Sequence, residues 1–174
     1  MDRSYENIDD AVVLEIASVL MASNMTLATA ESCTGGGIGA SLTALAGSSQ
    51  WFNGGVISYS NQVKETLLGV SLDLINTHGA VSNEVAMAMA IGGKEALQTD
   101  WCIAVTGIAG PAGGTVDKPV GTVWVAWAGP GALTEVSTNS RQFYIAGNRE
   151  EVRDGAMSKA LQGFLHVIKG ESLD

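Results

Sequence analysis

Apolar positions recur at three- and four-residue spacing from Asp9 to about Ser23, with Val12, Val13, Ile16 and Leu20 among them, and the spacing predicts a helix. MTLATAE, residues 25 to 31, follows as a short apolar run and reads as a buried strand. It continues through Ser32-Cys33-Thr34-Gly35-Gly36 into a second helical stretch, about Gly37 to Ala46. GVISYS, 55 to 60, is the next predicted strand, and Asn61 is placed to cap a helix that carries Lys64 in its first turn. Ser82 is placed to cap a longer helix, rich in Ala and Met, that reaches about Gln98. The pair Gly92-Gly93 works against that helix, since each Gly costs about 1 kcal/mol relative to Ala. WCIAVTG, 101 to 107, is a continuous apolar run ending at Gly and reads as a central strand. A Gly/Pro-rich loop, IAGPAGGTVDKP, separates it from a further strand, GTVWVAWA, 121 to 128. VSTNSRQFY, 136 to 144, alternates less clearly and reads as an outer strand. The last helix starts at Asn148, whose spacing to Glu151 is that of N-cap and N3 in a capping box.

Helices alternate with strands early and strands cluster late. That order predicts an α/β fold, a single-domain α/β/α sandwich with a mixed β-sheet, over residues 1–174. No linker, internal repeat or low-complexity segment divides the chain. With 46% hydrophobic and 16% charged residues, it has the composition of a packed domain rather than a disordered one. The net charge of −9, with nine Lys and Arg and no run of them, argues against nucleic-acid binding. An anionic substrate would therefore be held by local backbone dipoles rather than by the overall field. Two cysteines, Cys33 and Cys102, are too few for a disulfide framework or a Cys-rich metal site. The first residues, MDRSYENIDD, are polar and acidic, unlike a signal peptide, and no apolar run reaches membrane-spanning length. A cytoplasmic, reduced, soluble protein with no membrane association is the simplest reading.

The residues that are missing narrow the chemistry. The only histidines are His78 and His166, neither in a metal-ligand spacing, and no CxxC occurs, so neither a protein-bound metal nor another cofactor is expected. His78, beside Gly79, reads as a helix end, and His166 as packing or surface. There is no G-x-S-x-G around Ser32 and no P-loop. Three stretches remain. Glu31-Ser32-Cys33-Thr34-Gly35-Gly36 reads either as a tight strand-to-helix turn with Ser and Thr as caps, or as Ser32 or Cys33 exposed at a helix N-terminus. There the dipole favours a nucleophile's negative charge and can hold an oxyanion. Tyr59 to Lys64 reads either as a strand end and cap with a solvated lysine, or as a general base. The second reading needs Lys64 in a partly desolvated pocket near Ser32, with Tyr59 relaying a proton or orienting the pair. Thr106 to Gly114 reads either as a surface loop or as a ligand-binding loop at the carboxyl end of a strand. Its backbone amides would suit phosphate.

In this order, AESCTGG, WFNGGVISYSNQVK, HGAVS, VTGIAGPAGG and DKPVGTVW resemble the CinA C-terminal domain family over about Asp9 to Val167. Several members of that family are nicotinamide-nucleotide amidohydrolases, or NMN deamidases, and the chain resembles the stand-alone form without an additional N-terminal domain. The resemblance implies hydrolysis of the carboxamide of nicotinamide mononucleotide to nicotinate mononucleotide and ammonia, in pyridine-nucleotide recycling, without metal. It also implies a small-molecule nucleotide substrate and a homo-oligomer. By motif, it makes Ser32 the nucleophile and Lys64 the base, assisted by Tyr59. It puts Cys33, Thr34, Gly35, Gly36, Thr106, Gly107, Ala109 and Gly110 around the substrate, with backbone N–H groups from Thr34 to Gly36 at the oxyanion. Arg149 is the candidate for the phosphate, or else an ordinary first-turn surface charge. The preference for Ser32 over Cys33 comes from the resemblance alone, because a thiol at a helix N-terminus is readily activated. Ser48 and Ser49 read as turn residues, with a smaller claim on the site. Other readings are an amidase for a different small amide, or a non-catalytic nucleotide- or partner-binding module linked to competence or DNA damage.

Overall fold

A computed structural model describes residues 10–131 and 137–172. The elements run α1 (Asp10–Ser23), β1 (Leu27–Glu31), α2 (Gly37–Thr43), β2 (Phe52–Ile57), α3 (Asn61–Leu68), α4 (Leu72–His78), α5 (Asn83–Leu97), β3 (Trp101–Gly107), β4 (Thr122–Gly129), β5 (Ser137–Tyr144) and α6 (Arg149–Lys169). The expected helix start at Asp9 and strand start at Val136 lie outside the described residues. One five-stranded sheet has the order β2-β1-β3-β4-β5. β1 pairs parallel with β2 and β3, while β4 pairs antiparallel with β3 and β5. The sheet is mixed and a helical layer covers each face, as the sequence predicted. Among the described residues no helix is long and apolar enough to cross a membrane.

The alternation of side chains along the strands makes the two faces different. Leu27, Ile103, Val105, Val123, Val125 and Trp127 point to one core, with α1, α2 and α6. Ala28, Ala30, Cys102, Ala104, Ala126 and Ala128 point to the other, with α3, α4 and α5. Small side chains on that second face let α5 lie close to the sheet. This is why Gly92 and Gly93 are tolerated in a helix: a Cβ on Gly92 would lie 1.8 Å from the Leu68 carbonyl oxygen, and one on Gly93 would lie 2.6 Å from Cys102 Sγ. Close packing outweighs the intrinsic helical cost of glycine.

Local differences from the expected boundaries have physical causes. β2 starts three residues earlier than predicted, at Phe52, because pairing with β1 carries the strand through Gly54-Gly55. It ends at Ile57, because Ser60 leaves the ladder to cap α3: its Oγ accepts from Val63 N at 3.2 Å, so Ser60 and not Asn61 is the N-cap. α2 stops at Thr43 rather than near Ala46. Ser82 caps α5, Gly79 closes α4 after His78, and Asn148 and Glu151 form the reciprocal capping box on α6.

Candidate active site

The chain leaves β1 toward β2 on one side, and later leaves β3 toward β4 on the other. The carboxyl ends of β1 and β3 are therefore a topological switch point, where an open α/β sheet leaves a crevice. A pocket of about 190 Å³ opens there. Ser32 and Cys33 enter it from the turn after β1; Tyr59, Asn61 and Lys64 from the β2–α3 connection and α3. Thr106, Gly107 and Ala109 enter it from the end of β3, Ala80 and Val81 from the α4–α5 loop, and Arg149 from the start of α6. Of the residues singled out in the sequence, Thr34, Gly35, Gly36 and Gly110 do not line this pocket, nor do Ser48 and Ser49, which form a 3₁₀ turn before β2.

Lys64 is the most unusual side chain in the pocket. It shares the sheet-facing stripe of α3 with Leu68, four residues on, and is only 1% exposed. Its Nζ donates to the Ser58 carbonyl at 2.7 Å and lies 3.1 Å from Ser32 Oγ. No carboxylate pairs with it among the described residues. Burial lowers its pKa from the ordinary lysine value. The neutral amine has a lone pair that can accept the Ser32 hydroxyl proton. Ser32 itself is 8% exposed, and its Oγ makes no capping bond.

Ser32 is free of capping because a residue with no role assigned from the sequence does that work. The Glu31 carboxylate, 1% exposed at the end of β1, folds under the turn. It accepts from Thr34 Oγ1 at 2.7 Å and from the N–H groups of Gly36 at 3.0, Ile38 at 3.1 and Gly39 at 2.8 Å. A full negative charge thus sits on the positive end of α2. Gly35 and Gly36 take positive φ angles of 62° and 93°, which close the turn around it. This corrects two expectations. The Gly36 N–H is committed to Glu31, and the Gly35 N–H donates to the Ser32 carbonyl at 3.1 Å, so neither faces a substrate oxyanion. Among the described residues the N–H groups of Cys33 and Thr34 have no backbone or carboxylate acceptor, and of the two residues Cys33 lines the pocket. The helix dipole, already neutralised, also does not activate the thiol: burial first, and the charge of Glu31 after it, push Cys33 up to about 12. A cysteine at that value is protonated and a poor nucleophile near neutral pH.

The rim also differs from expectation. The Tyr59 side chain is 62% exposed, and its hydroxyl accepts from Arg149 Nη2 at 3.2 Å instead of standing between Ser32 and Lys64. Arg149 also donates through Nη1 to the Gly110 carbonyl at 2.7 Å, so the guanidinium joins both sides of the pocket mouth. Thr106 is buried and donates to the Ala80 carbonyl at 2.8 Å. Lys118, which sequence reasoning passed over, donates to the carbonyls of His78 at 2.7 Å and Val81 at 2.8 Å, tying the long loop to the Ala80-Val81 wall. Asn61, predicted as a cap, lines the pocket, and no sequence pattern sets apart Arg153, in the first turns of α6. Among the described residues there is no group of three or more His, Cys, Asp or Glu side chains placed to hold a metal ion.

The comparisons with known proteins agree with this fold. A family model described as CinA C-terminal domain matches residues 9–168. A CinA-like protein of Synechocystis sp. is 56% identical over 153 residues, 88% of this chain and 36% of its own. A CinA-like protein of Prochlorococcus marinus is 51% identical over 164 residues, 94% of this chain and 38% of its own. The chain thus spans little more than a third of the length of these relatives. Among solved structures, the competence damage-inducible protein A of Klebsiella pneumoniae superposes with a TM-score of 0.86 at 34% identity, covering 92% of this chain and 96% of its own. A competence-damaged protein (CinA) superfamily protein of Escherichia coli gives 0.86 at 32% identity, covering 96% and 94%.

Proposed function

This chain belongs to the CinA C-terminal domain family, and on that premise we propose that it is a metal-independent amidohydrolase that converts nicotinamide mononucleotide to nicotinate mononucleotide and ammonia. The observation that carries the reading is the buried Lys64 amine, without a carboxylate partner, 3.1 Å from Ser32 Oγ. Lys64 takes the hydroxyl proton as Ser32 attacks the carboxamide carbon. The Cys33 N–H, on the residue after the nucleophile and without a backbone acceptor among the described residues, is assigned in this scheme to the tetrahedral oxyanion. The Lys64 ammonium then returns the proton to the departing nitrogen, and ammonia leaves. Water, deprotonated by the same amine, cleaves the acyl-serine and releases the carboxylate. A pocket of about 190 Å³ suits a pyridine carboxamide, leaving the ribose phosphate to extend to the mouth. There Arg149, held by Gly110 and Tyr59, offers the cation for the phosphate. Tyr59 acts at the rim in this scheme and not as a relay.

The test is ammonia release from nicotinamide mononucleotide by chelator-dialysed protein beside Ser32→Ala. Release by the wild type that is lost in the variant is expected. Release surviving in Ser32→Ala moves the nucleophile elsewhere. No release from folded wild type, with turnover of another small amide, changes the substrate but keeps the chemistry. No hydrolysis of any amide favours a binding module.

A further inference from the structure

Resting on the reading of Ser32 as a nucleophile, we propose that Arg153 is a positioning residue for that reaction, a two-pronged clamp from α6 that sets the peptide geometry of the Ser32 turn. Its Nε donates to the Cys33 carbonyl at 3.2 Å and its Nη2 to the Thr34 carbonyl at 2.8 Å. These carbonyls belong to the two residues that directly follow Ser32, and the donor lies 120 and 119 residues away in the chain. Arg153 does not line the pocket, so it acts through the turn and not on substrate.

The geometry explains why such a clamp matters. In a trans peptide the N–H points opposite to the C=O of the same unit. The Ser32 carbonyl is fixed by the Gly35 N–H, which sets the direction of the Cys33 N–H. The Cys33 carbonyl is fixed by Arg153, which sets the Thr34 N–H and holds Cys33 from its other side. From beneath, Glu31 grips Thr34 Oγ1 and Gly36 N–H. The turn that carries Ser32 is thereby held between an anion under the helix start and a cation on the neighbouring helix. An arginine's rigid fork satisfies two adjacent carbonyls at once, which a lysine ammonium does not match. Among the described residues no carboxylate forms an ion pair with Arg153, so the guanidinium is committed to this turn. Docking of α6 rests on other residues: Val152, Ala156, Ala160, Leu161 and Phe164 are wholly buried in the core. Loss of Arg153 should therefore loosen the turn without unfolding the helix.

The experiment reads Ser32 without depending on the natural substrate. A small fluorophosphonate labels an activated serine: the Oγ–P bond forms, fluoride leaves, and the hydroxyl proton passes to Lys64. Labelling rates at Ser32, located by peptide mass spectrometry, are compared for wild type, Arg153→Met and Arg153→Lys, with Tm measured for each. A fall on the order of 10-fold to 100-fold in Arg153→Met is expected, with Arg153→Lys between it and wild type. With an amide substrate, the loss should fall on kcat and leave KM nearly unchanged. Guanidinium ion should restore part of the rate to Arg153→Ala, which leaves room for it. Labelling of both Arg153→Met and Arg153→Lys at the wild-type rate overturns the inference. So does a loss that merely tracks the folded fraction and is not rescued by guanidinium. Failure of the wild type to label at Ser32 is a different result, and removes the nucleophile reading on which the inference rests.

Discussion

Lys64 occupies a place on α3 where an apolar side chain would cost less, since Leu68 continues the same stripe into the core. The site therefore keeps an amine out of water at some expense of stability. A base of this kind gives a definite pH dependence. The protonated amine cannot take the serine proton, so kcat/KM should rise with pH through a pKa lying below the ordinary lysine value of 10.5. Lys64→Met should lower kcat by on the order of 10²-fold to 10⁴-fold. Lys64→Arg should be as inactive, because a guanidinium stays protonated throughout the accessible range. Arginine supporting wild-type turnover would remove the general-base role. Cys33 offers the converse case. With its thiol pushed up to about 12, Cys33→Ala should keep more than about a tenth of wild-type kcat/KM in the same assay. A loss as deep as that of Ser32→Ala would make the sulfur a participant.

At the scale of elements, two contacts connect packing to the site. The first is Glu31 on the start of α2. Glu31→Gln keeps the shape but replaces one acceptor oxygen with a donor facing N–H groups or Thr34 Oγ1, and should cost about 1–3 kcal/mol in urea unfolding. A change under about 0.5 kcal/mol would mean that the turn re-forms without the carboxylate. The second is α5 against α3. Gly92→Ala puts a methyl group 1.8 Å from the backbone carbonyl of Leu68, one helical turn beyond Lys64. α3 has to move, so the substitution should destabilise by about 1–3 kcal/mol and also lower kcat, although Gly92 does not line the pocket. Unaltered stability and turnover would show that the two helices separate freely. Both contacts were only half legible in the sequence. The acid ending an apolar strand in MTLATAE is visible, but its acceptor role depends on the turn folding back over it. Gly92-Gly93 read as a weakness in a helix, because the backbone that fills the space above them comes from a distant segment.

For the whole molecule, alternation and run length made the order of helices and strands readable, and the central place of WCIAVTG followed from its unbroken apolar character. Long-range geometry was not readable. The distance between Ser32 and Lys64, the Tyr59–Arg149 contact and the reach of Arg153 depend on which carboxyl ends the sheet order brings together. The same assembly places a titratable amine in the interior, and the stability of the whole fold should register it. Burial lowers the native pKa of Lys64 below the unfolded value, so between the two the unfolded chain binds a proton that the native protein does not. The slope of unfolding free energy with pH is positive wherever the unfolded state holds more protons. Wild type should therefore gain stability over Lys64→Met as pH rises from the lowered native pKa toward 10.5. Urea unfolding of both proteins at a series of alkaline pH values isolates this contribution, since every other titrating group is common to the two. The difference in unfolding free energy, wild type minus Lys64→Met, is expected to move toward wild type as pH rises. A difference that stays flat would mean that Lys64 remains an ammonium in the folded state, and a buried ammonium at that position could not serve as the base for Ser32.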